Sequence, residues 1–266
     1  MPVIRRNGQP AQTSSARVYR HLKHDIVTCD LLPGRSLSEQ ELCRRYHTSR
    51  TPVREACRRL ENEGLVRIIP YRGYFVAPLT MAEYHNLNEV QLIVEPAAAA
   101  LAAQRATPAQ MKVIQTAAAK IYRAGNRKSY YAFLEDNYRL HVGIAESSAN
   151  ESLVNIVSEV HTRLMRFFYL VISVDSYGPE LVAEHRSIVQ AIGKRDADEA
   201  RRRSTEHIVR TMQRSANLML AAGGMDAGTY ASPGNWLNLA RSLPSDWTLW
   251  EERAAPEPPV MKGGRR

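Results

Sequence analysis

The chain has 266 residues, 44% of them hydrophobic and 24% charged, which places it among folded globular proteins and excludes wholesale disorder. Its formal net charge is +9, and the excess is uneven: residues 1–76 hold 14 Lys+Arg against 7 Asp+Glu, whereas residues 77–266 hold 22 against 20. A basic balance concentrated in one short segment points to a polyanion, nucleic acid before an anionic membrane.

Residues 1–13 are polar and read as a flexible arm, with no apolar stretch behind the early arginines to make a signal peptide. From Ser14 the pattern turns helical, with Val18, Leu22 and Ile26 at four-residue steps, and Asp30-Leu31-Leu32-Pro33-Gly34 closes that helix. Ser38-Glu39-Gln40-Glu41 predicts a capping box opening a short second helix to about Tyr46. After His47-Thr48-Ser49 a third helix begins, with Pro52 in its first turn and Gly64 at its end. Leu65–Ile69 and Tyr74–Ala77, joined by Pro70-Tyr71-Arg72-Gly73, predict a hairpin. That order describes a winged helix-turn-helix over residues 14–78.

From Thr80 onward the chain reads as helix: an all-α bundle of six or seven helices over residues 79–221. Thr80-Met81-Ala82-Glu83 and Thr107-Pro108-Ala109-Gln110 look like capping boxes, and Pro96 is expected to kink or split the first of these helices. The longest apolar run, Leu92–Ala103, contains Glu95 and Pro96 and is too short to span a bilayer, so a cytoplasmic protein without membrane contact is expected. Residues 222–266 are rich in Gly, Pro and Ser and read as a loosely ordered tail, in which Trp236, Trp247 and Trp250 suggest partial docking. Cys29, Cys43 and Cys57 form no CxxC pair and read as small core residues.

Chemistry concentrates in two places. On the third helix Val53, Ala56, Cys57 and Leu60 make the buried stripe, and Arg50, Arg54 and Arg58 occupy the other face with Arg59 beside them. Arginines in a first turn oppose the helix dipole by ~0.3–1 kcal/mol each. A phosphate or guanine edge facing that turn offsets the cost, and helix-turn-helix proteins insert this end of the helix into the major groove. Ser49 and Thr51 suit phosphate or bases, and Arg72-Gly73 at the hairpin tip suits phosphate or the minor groove. In the bundle, His141, His185 and His207 fall on three different helices, and imidazoles meeting in one core would suit Zn, Ni or Fe. Asn137 lies one turn before His141, on the same face.

Pro33-Gly34-Arg35-Ser36-Leu37, Ser49-Arg50-Thr51-Pro52-Val53-Arg54-Glu55-Ala56 and Glu63-Gly64-Leu65-Val66, with Gly73 in the wing, resemble the GntR family of bacterial regulators over residues 16–78. The resemblance implies a homodimeric repressor on a short palindromic double-stranded operator, with Arg35 joining the residues above at the DNA. Where many members carry arginine in the second helix this chain has Gln40, which implies a different operator sequence but the same class of activity.

Asn137-Tyr138-Arg139-Leu140-His141, Glu184-His185-Arg186 and Asp196 through Glu206-His207 resemble the FCD-type domain of the FadR subfamily, across about residues 80–215. That resemblance implies a divalent metal, Zn, Ni or similar, on Asn137, His141, His185 and His207, beneath a pocket for a small carboxylate effector. The first ligand is more often Asp in such domains, and Asp136, about 100° away around an ideal helix, is a poor substitute. An arginine common one turn before the acid of the first bundle helix is here Gln91, preceding Glu95. Arg163 and Arg166 are candidates to replace it, with Tyr138, Phe167 and Tyr169 as possible lining. Competing readings are a hydrolase using a metal-bound water, which lacks an HExxH motif or evident general base, and a sequence-independent DNA-binding protein.

Overall fold

A computed structural model of the chain describes residues 13–122, 126–172 and 178–221, and of 127, 128, 171, 172 and 216–221 the backbone alone. The expected arm up to residue 12 and the expected tail with its tryptophans lie outside the described residues. Among the described residues no helix is long and apolar enough to cross a membrane.

The head follows the expected order. Helices α1 (Ser14–Val27), α2 (Glu39–Arg45) and α3 (Arg50–Asn62) bury Val18, Leu22 and Ile26, then Leu42, then Val53, Ala56, Cys57 and Leu60, in one apolar cluster. The wing pairs β2 (Val66–Ile69) with β3 (Gly73–Val76) antiparallel, in the register Val66↔Val76 and Ile69↔Gly73. A third strand not expected from the sequence, β1 (Ser36–Leu37), pairs with β3 on its other side, giving the order β1-β3-β2. Two residues are too few for alternation to register.

Gly64 ends α3 in the left-handed conformation, φ +70°, with its N–H on the Glu61 carbonyl. An added Cβ would meet Arg163 Cδ of the bundle at 3.0 Å, so this cap is also a point of close approach between the two parts.

The bundle comprises, among the described residues, six helices: α4 (Met81–Arg105), α5 (Pro108–Ala118), α6 (Arg127–Ser147), α7 (Glu151–Ile172), α8 (Gly178–Gly193) and α9 (Ala197–Ala221). Pro96 does not split α4, which runs unbroken for 25 residues. The flank after it supplies the reason: the alanines at 97–100, 102 and 103 are the strongest helix formers and most are buried, so packing outweighs one missing N–H. Thr107 and Gln110 make the full capping box at α5. At α2 and α4 only half of each expected box forms. Ser38 and Thr80 accept the N–H of Glu41 and Glu83, but those carboxylates are drawn to Arg35 and Arg163 instead.

Head and bundle share packing. Val27 and Leu79 join the aromatic cluster of Tyr84, Tyr130, Phe133 and Phe167. The His24 ring lies 4.5 Å from that of Tyr131. Arg166 of α7 is fully buried and donates to the Ala77 carbonyl at 2.6 Å, just past the wing.

Candidate metal centre and nucleic-acid interface

The DNA face is built on α3. Ser49 caps the helix by position, yet its hydroxyl makes no capping bond, and no acid stands in the first turn. Ser49, Arg50, Thr51, Arg54 and Arg58 are all exposed, as are Gln40 on α2 and Arg72 and Gly73 at the wing tip. Arg54 is held side-on by Glu39 of α2, with Nε to Oε1 at 2.6 Å and Nη2 to Oε2 at 3.1 Å. The Tyr74 hydroxyl donates to the same carboxylate at 3.0 Å. The Arg54 bonds hold the Glu39 carboxyl below its ordinary pKa, against its partial burial and with help from Tyr74. This pairing occupies the Nε edge of the guanidinium and leaves the end formed by Nη1 and the second Nη2 hydrogen facing away from Glu39. Arg35 is tied to Glu41 at 2.6 Å, and Arg72 lies over the Phe75 ring, 5.7 Å from its centroid. Sequence reasoning did not single out Tyr71, which stands fully exposed at the wing tip with φ +62°, nor Glu39 as the holder of Arg54.

In the bundle, one ligand atom each of His141 (α6), His185 (α8) and His207 (α9) lies within 4.8 Å of the others, and all three residues are buried. The tautomers follow from the partners. Burial alone would raise the Glu95 carboxyl, but the His161 and His141 rings on either side hold it well below the usual range. Burial likewise opposes Arg214 and His207 at Glu184, and they hold it at about 2. Ionised carboxylates can only accept, so His141 Nδ1 donates to Glu95 (2.6 Å) and His207 Nδ1 donates to Glu184 (2.9 Å). A neutral ring that donates through Nδ1 presents Nε2 as a bare lone pair, the arrangement in which an outer carboxylate orients a metal-ligating histidine. His185 Nε2 is buried with no hydrogen-bond partner among the described residues. Its pKa is pushed well below the histidine range by burial and by His207, His141 and His161, so the ring is neutral, the form that binds metal.

A second grouping, Glu95, His141 and His161, is equally close but differently disposed. His161 Nε2 donates to Glu95 at 2.6 Å and His141 Nδ1 donates to the same carboxylate, so both nitrogens carry protons there. The donor chemistry therefore fits a divalent ion at His141, His185 and His207 and not at Glu95 and His161.

Beside His141 and His207, with His185 outside its lining, is a cavity of about 40 Å³. Phe133, Leu134, Phe168 and Leu181 form its apolar wall, and Gln91, Asn137, His161, Thr211, Arg214 and Ser215 contribute polar groups. Of the sequence candidates, Gln91 and Asn137 line it together with His141 and His207. Gln91 Nε2 lies 3.4 Å from His161 Nε2.

Arg163, Arg166 and Tyr138 do not line it. Arg163 bonds Glu83 at 2.9 and 3.1 Å and packs on Gly64. Arg166 is buried on the Ala77 carbonyl, and the Tyr138 hydroxyl bonds Ser158 at 2.6 Å. Phe167 and Tyr169 pack against Tyr84 and Tyr130 in the core. The cation at the cavity is Arg214, which grips Glu184 through two bonds of 2.8 and 2.7 Å. Sequence reasoning missed it together with Thr211 and Ser215, although 207, 211, 214 and 215 fall on one face of a helix.

The comparisons with known proteins agree with both halves. Residues 14–76 match the bacterial regulatory proteins of the gntR family, and residues 86–210 match the FCD domain. The HTH-type transcriptional repressor RspR of Escherichia coli K12 is 31% identical over 201 residues, covering 75% of this chain and 87% of that protein. The galactonate operon transcriptional repressor of the same organism is 28% identical, covering 74% and 95%. Among solved structures, E. coli McbR/YncC superposes with a TM-score of 0.60 at 20% identity, covering 75% of this chain and 95% of that one. A GntR-type regulator from Rhodococcus sp. RHA1 gives 0.58 at 20% identity, covering 76% and 96%.

Proposed function

The chain belongs to the GntR family of bacterial transcriptional regulators and carries an FCD domain behind its winged head, and from that premise we propose that it is a metal-dependent repressor released from its operator by a small carboxylate. The observation that carries this reading is the buried, partnerless Nε2 of His185, set against two further histidines whose other nitrogens are tied to carboxylates. A site of this kind inside a DNA-binding regulator suits a sensor.

A divalent ion, Zn or Ni, would be held by His141, His185 and His207, with the Asn137 side-chain oxygen as a neutral fourth ligand. Such an ion, when bound, would supply a Lewis-acidic anchor for a carboxylate. The protein's own part is to orient and to exclude water. Glu95 and Glu184 fix the rings, the Phe133, Leu134, Phe168 and Leu181 wall dries the cavity, and Arg214 contributes a cation already balanced by Glu184. Thus the net attraction for an anion comes from the metal end.

The protein acts as a cytoplasmic homodimer on a palindromic duplex, one head per half-site. Ser49, Arg50, Thr51, Arg54 and Arg58 meet the major groove, with Arg35, Gln40, Arg72 and Gly73 flanking it. Repression as the sign is supported by the two relatives named as repressors. Coupling needs an effector that binds two placements of the heads with different affinity. The α7 helix supports such coupling, because it carries His161 beside the cavity and Arg163 and Arg166 against Gly64 and Ala77 of the head.

The experiment is elemental analysis of the purified full chain after growth with added zinc or nickel. About one divalent ion per chain is expected, removable by chelation. Absence of any bound ion would refute the metal site.

A further inference from the structure

The wing leaves one edge of its sheet open. In the order β1-β3-β2, the strand β2 is paired on one side only. The Ala77 N–H donates to the Leu65 carbonyl at 3.0 Å, so in the alternating ladder residues 65, 67 and 69 face β3 and residues 66 and 68 face outward. The Ile68 N–H points that way, onto Glu61 Oε1 at 3.0 Å. Among the described residues no other hydrogen bond meets the outward N–H of Val66 or the outward carbonyls of Val66 and Ile68. An open edge is a template for another strand, and folded proteins commonly cover it.

Along that edge lies a groove of about 850 Å³ between wing and bundle. Val66, Ile68 and Ile69 of β2 form one side of it, and Ala82, Leu87 and Val90 of α4 form the other. Val90 is 37% exposed. Arg67, exposed in the same lining, makes no ion pair among the described residues. An apolar groove beside an open strand edge suits an extended peptide, whose backbone pairs with the edge while alternate side chains enter the groove.

The chain carries a segment of matching chemistry in Asp246-Trp247-Thr248-Leu249-Trp250-Glu251-Glu252. Tryptophan and threonine favour strands, and an extended backbone would put Trp247 and Leu249 on one side with acids at both ends of the run. The end of α9 brings the chain close to the groove. Helices α4 and α9 pack antiparallel, with Glu95 acting on His207 and Tyr84 beside Ser215. Six residues past Ser215, about 9 Å along the axis, Ala221 lies toward Pro78 and Thr80, which line the groove. Residues 222–246 are ample chain for the remaining distance.

We propose that the groove between β2 and α4 takes residues 246–252 of the same chain as a further strand, its apolar side chains against Leu87 and Val90 and its acids beside Arg67. Docked there, the segment ties the wing to the bundle and restricts the placement of the head.

All three tryptophans of the chain, Trp236, Trp247 and Trp250, lie past α9, so tryptophan emission reports on this stretch alone. The test records emission and acrylamide quenching of the full chain carrying Trp236→Phe, native and in guanidinium chloride. Native emission is expected to lie to the blue of the unfolded chain and to be quenched several-fold less. Val90→Lys and, separately, Arg67→Glu change exposed positions. Each is expected to move emission and quenching toward the unfolded values while the helical circular dichroism stays unchanged. If one of them loses that dichroism, the other carries the test. Native emission identical to that of the unfolded chain would overturn the docking. Protection unchanged by either substitution in a folded chain would overturn this groove as the site. Protection lost on dilution, with dichroism retained, would overturn the intrachain strand in favour of a second copy as occupant.

Discussion

Replacing Arg54 with alanine is expected to weaken binding to a specific operator by about 5- to 150-fold, equivalent to ~1–3 kcal/mol, while affinity for random duplex at the same salt falls only a few-fold. The asymmetry follows from geometry. Glu39 grips the Nε edge of Arg54 through two bonds, which fixes the side chain without consuming the end that matches guanine O6 and N7. Glu39→Gln keeps the shape but weakens the grip, so it is expected to shift specific affinity in the same direction by a smaller factor. Competition between a selected operator and random DNA at fixed salt measures both variants. Equal losses on the two DNAs would remove Arg54 from base reading and place it among phosphate contacts, where each charge adds to the salt dependence but carries no sequence information.

The double substitution His185→Ala, His207→Ala is expected to reduce bound metal from about one ion per chain to none and to abolish any response to carboxylates. Operator affinity is expected to stay within a few-fold of wild type, because the apolar cluster of the head is formed by residues 18–76 and does not include either histidine. The fold should tolerate the change. His185 Nε2 has no partner to lose among the described residues, and Glu184 keeps its two bonds to Arg214 when His207 is removed. Metal content unchanged by elemental analysis would move the site away from these histidines, with His161 as the next residue to replace.

What the sequence made legible was whatever repeats with a period. The stripe Val53, Ala56, Cys57 and Leu60 fixed the buried side of α3 and thereby its basic face, and turn chemistry placed the wing. The strand β1 left no trace because its two residues gain their conformation from pairing with β3, a contact between residues nearly forty apart in the chain. The capping carboxylates of Glu41 and Glu83 were drawn off by arginines distant in sequence, which local pattern does not register.

The cavity divides the same way. His141, His185 and His207 were visible as residue types that ligate metals, and the structure brings them together. Arg163 and Arg166, the candidates to replace the arginine missing at Gln91, lie away from the cavity lining, on Glu83 and the Ala77 carbonyl. On α7 the cavity face is set by His161 and Phe168, seven residues apart, and Arg166 lies about 140° around the helix from His161. That position turns it toward the Ala77 carbonyl of the head. Counting from His207 in steps of four and seven would have found Thr211 and Arg214. Glu95 and Glu184 were seen as landmarks, but their role as the carboxylates that orient His141 and His207 depends on contacts across the bundle.

In the proposed sensor the histidine cavity and the Arg54 face act on one another. The direct measurement is fluorescence anisotropy of a selected operator duplex titrated with the metal-loaded full chain, at fixed salt, with and without a saturating carboxylate whose binding has been confirmed by calorimetry. Coupling predicts that the acid lowers operator affinity by about 5- to 150-fold, and that the duplex lowers affinity for the acid by the same factor. Identical operator affinity with the acid bound and absent would contradict it.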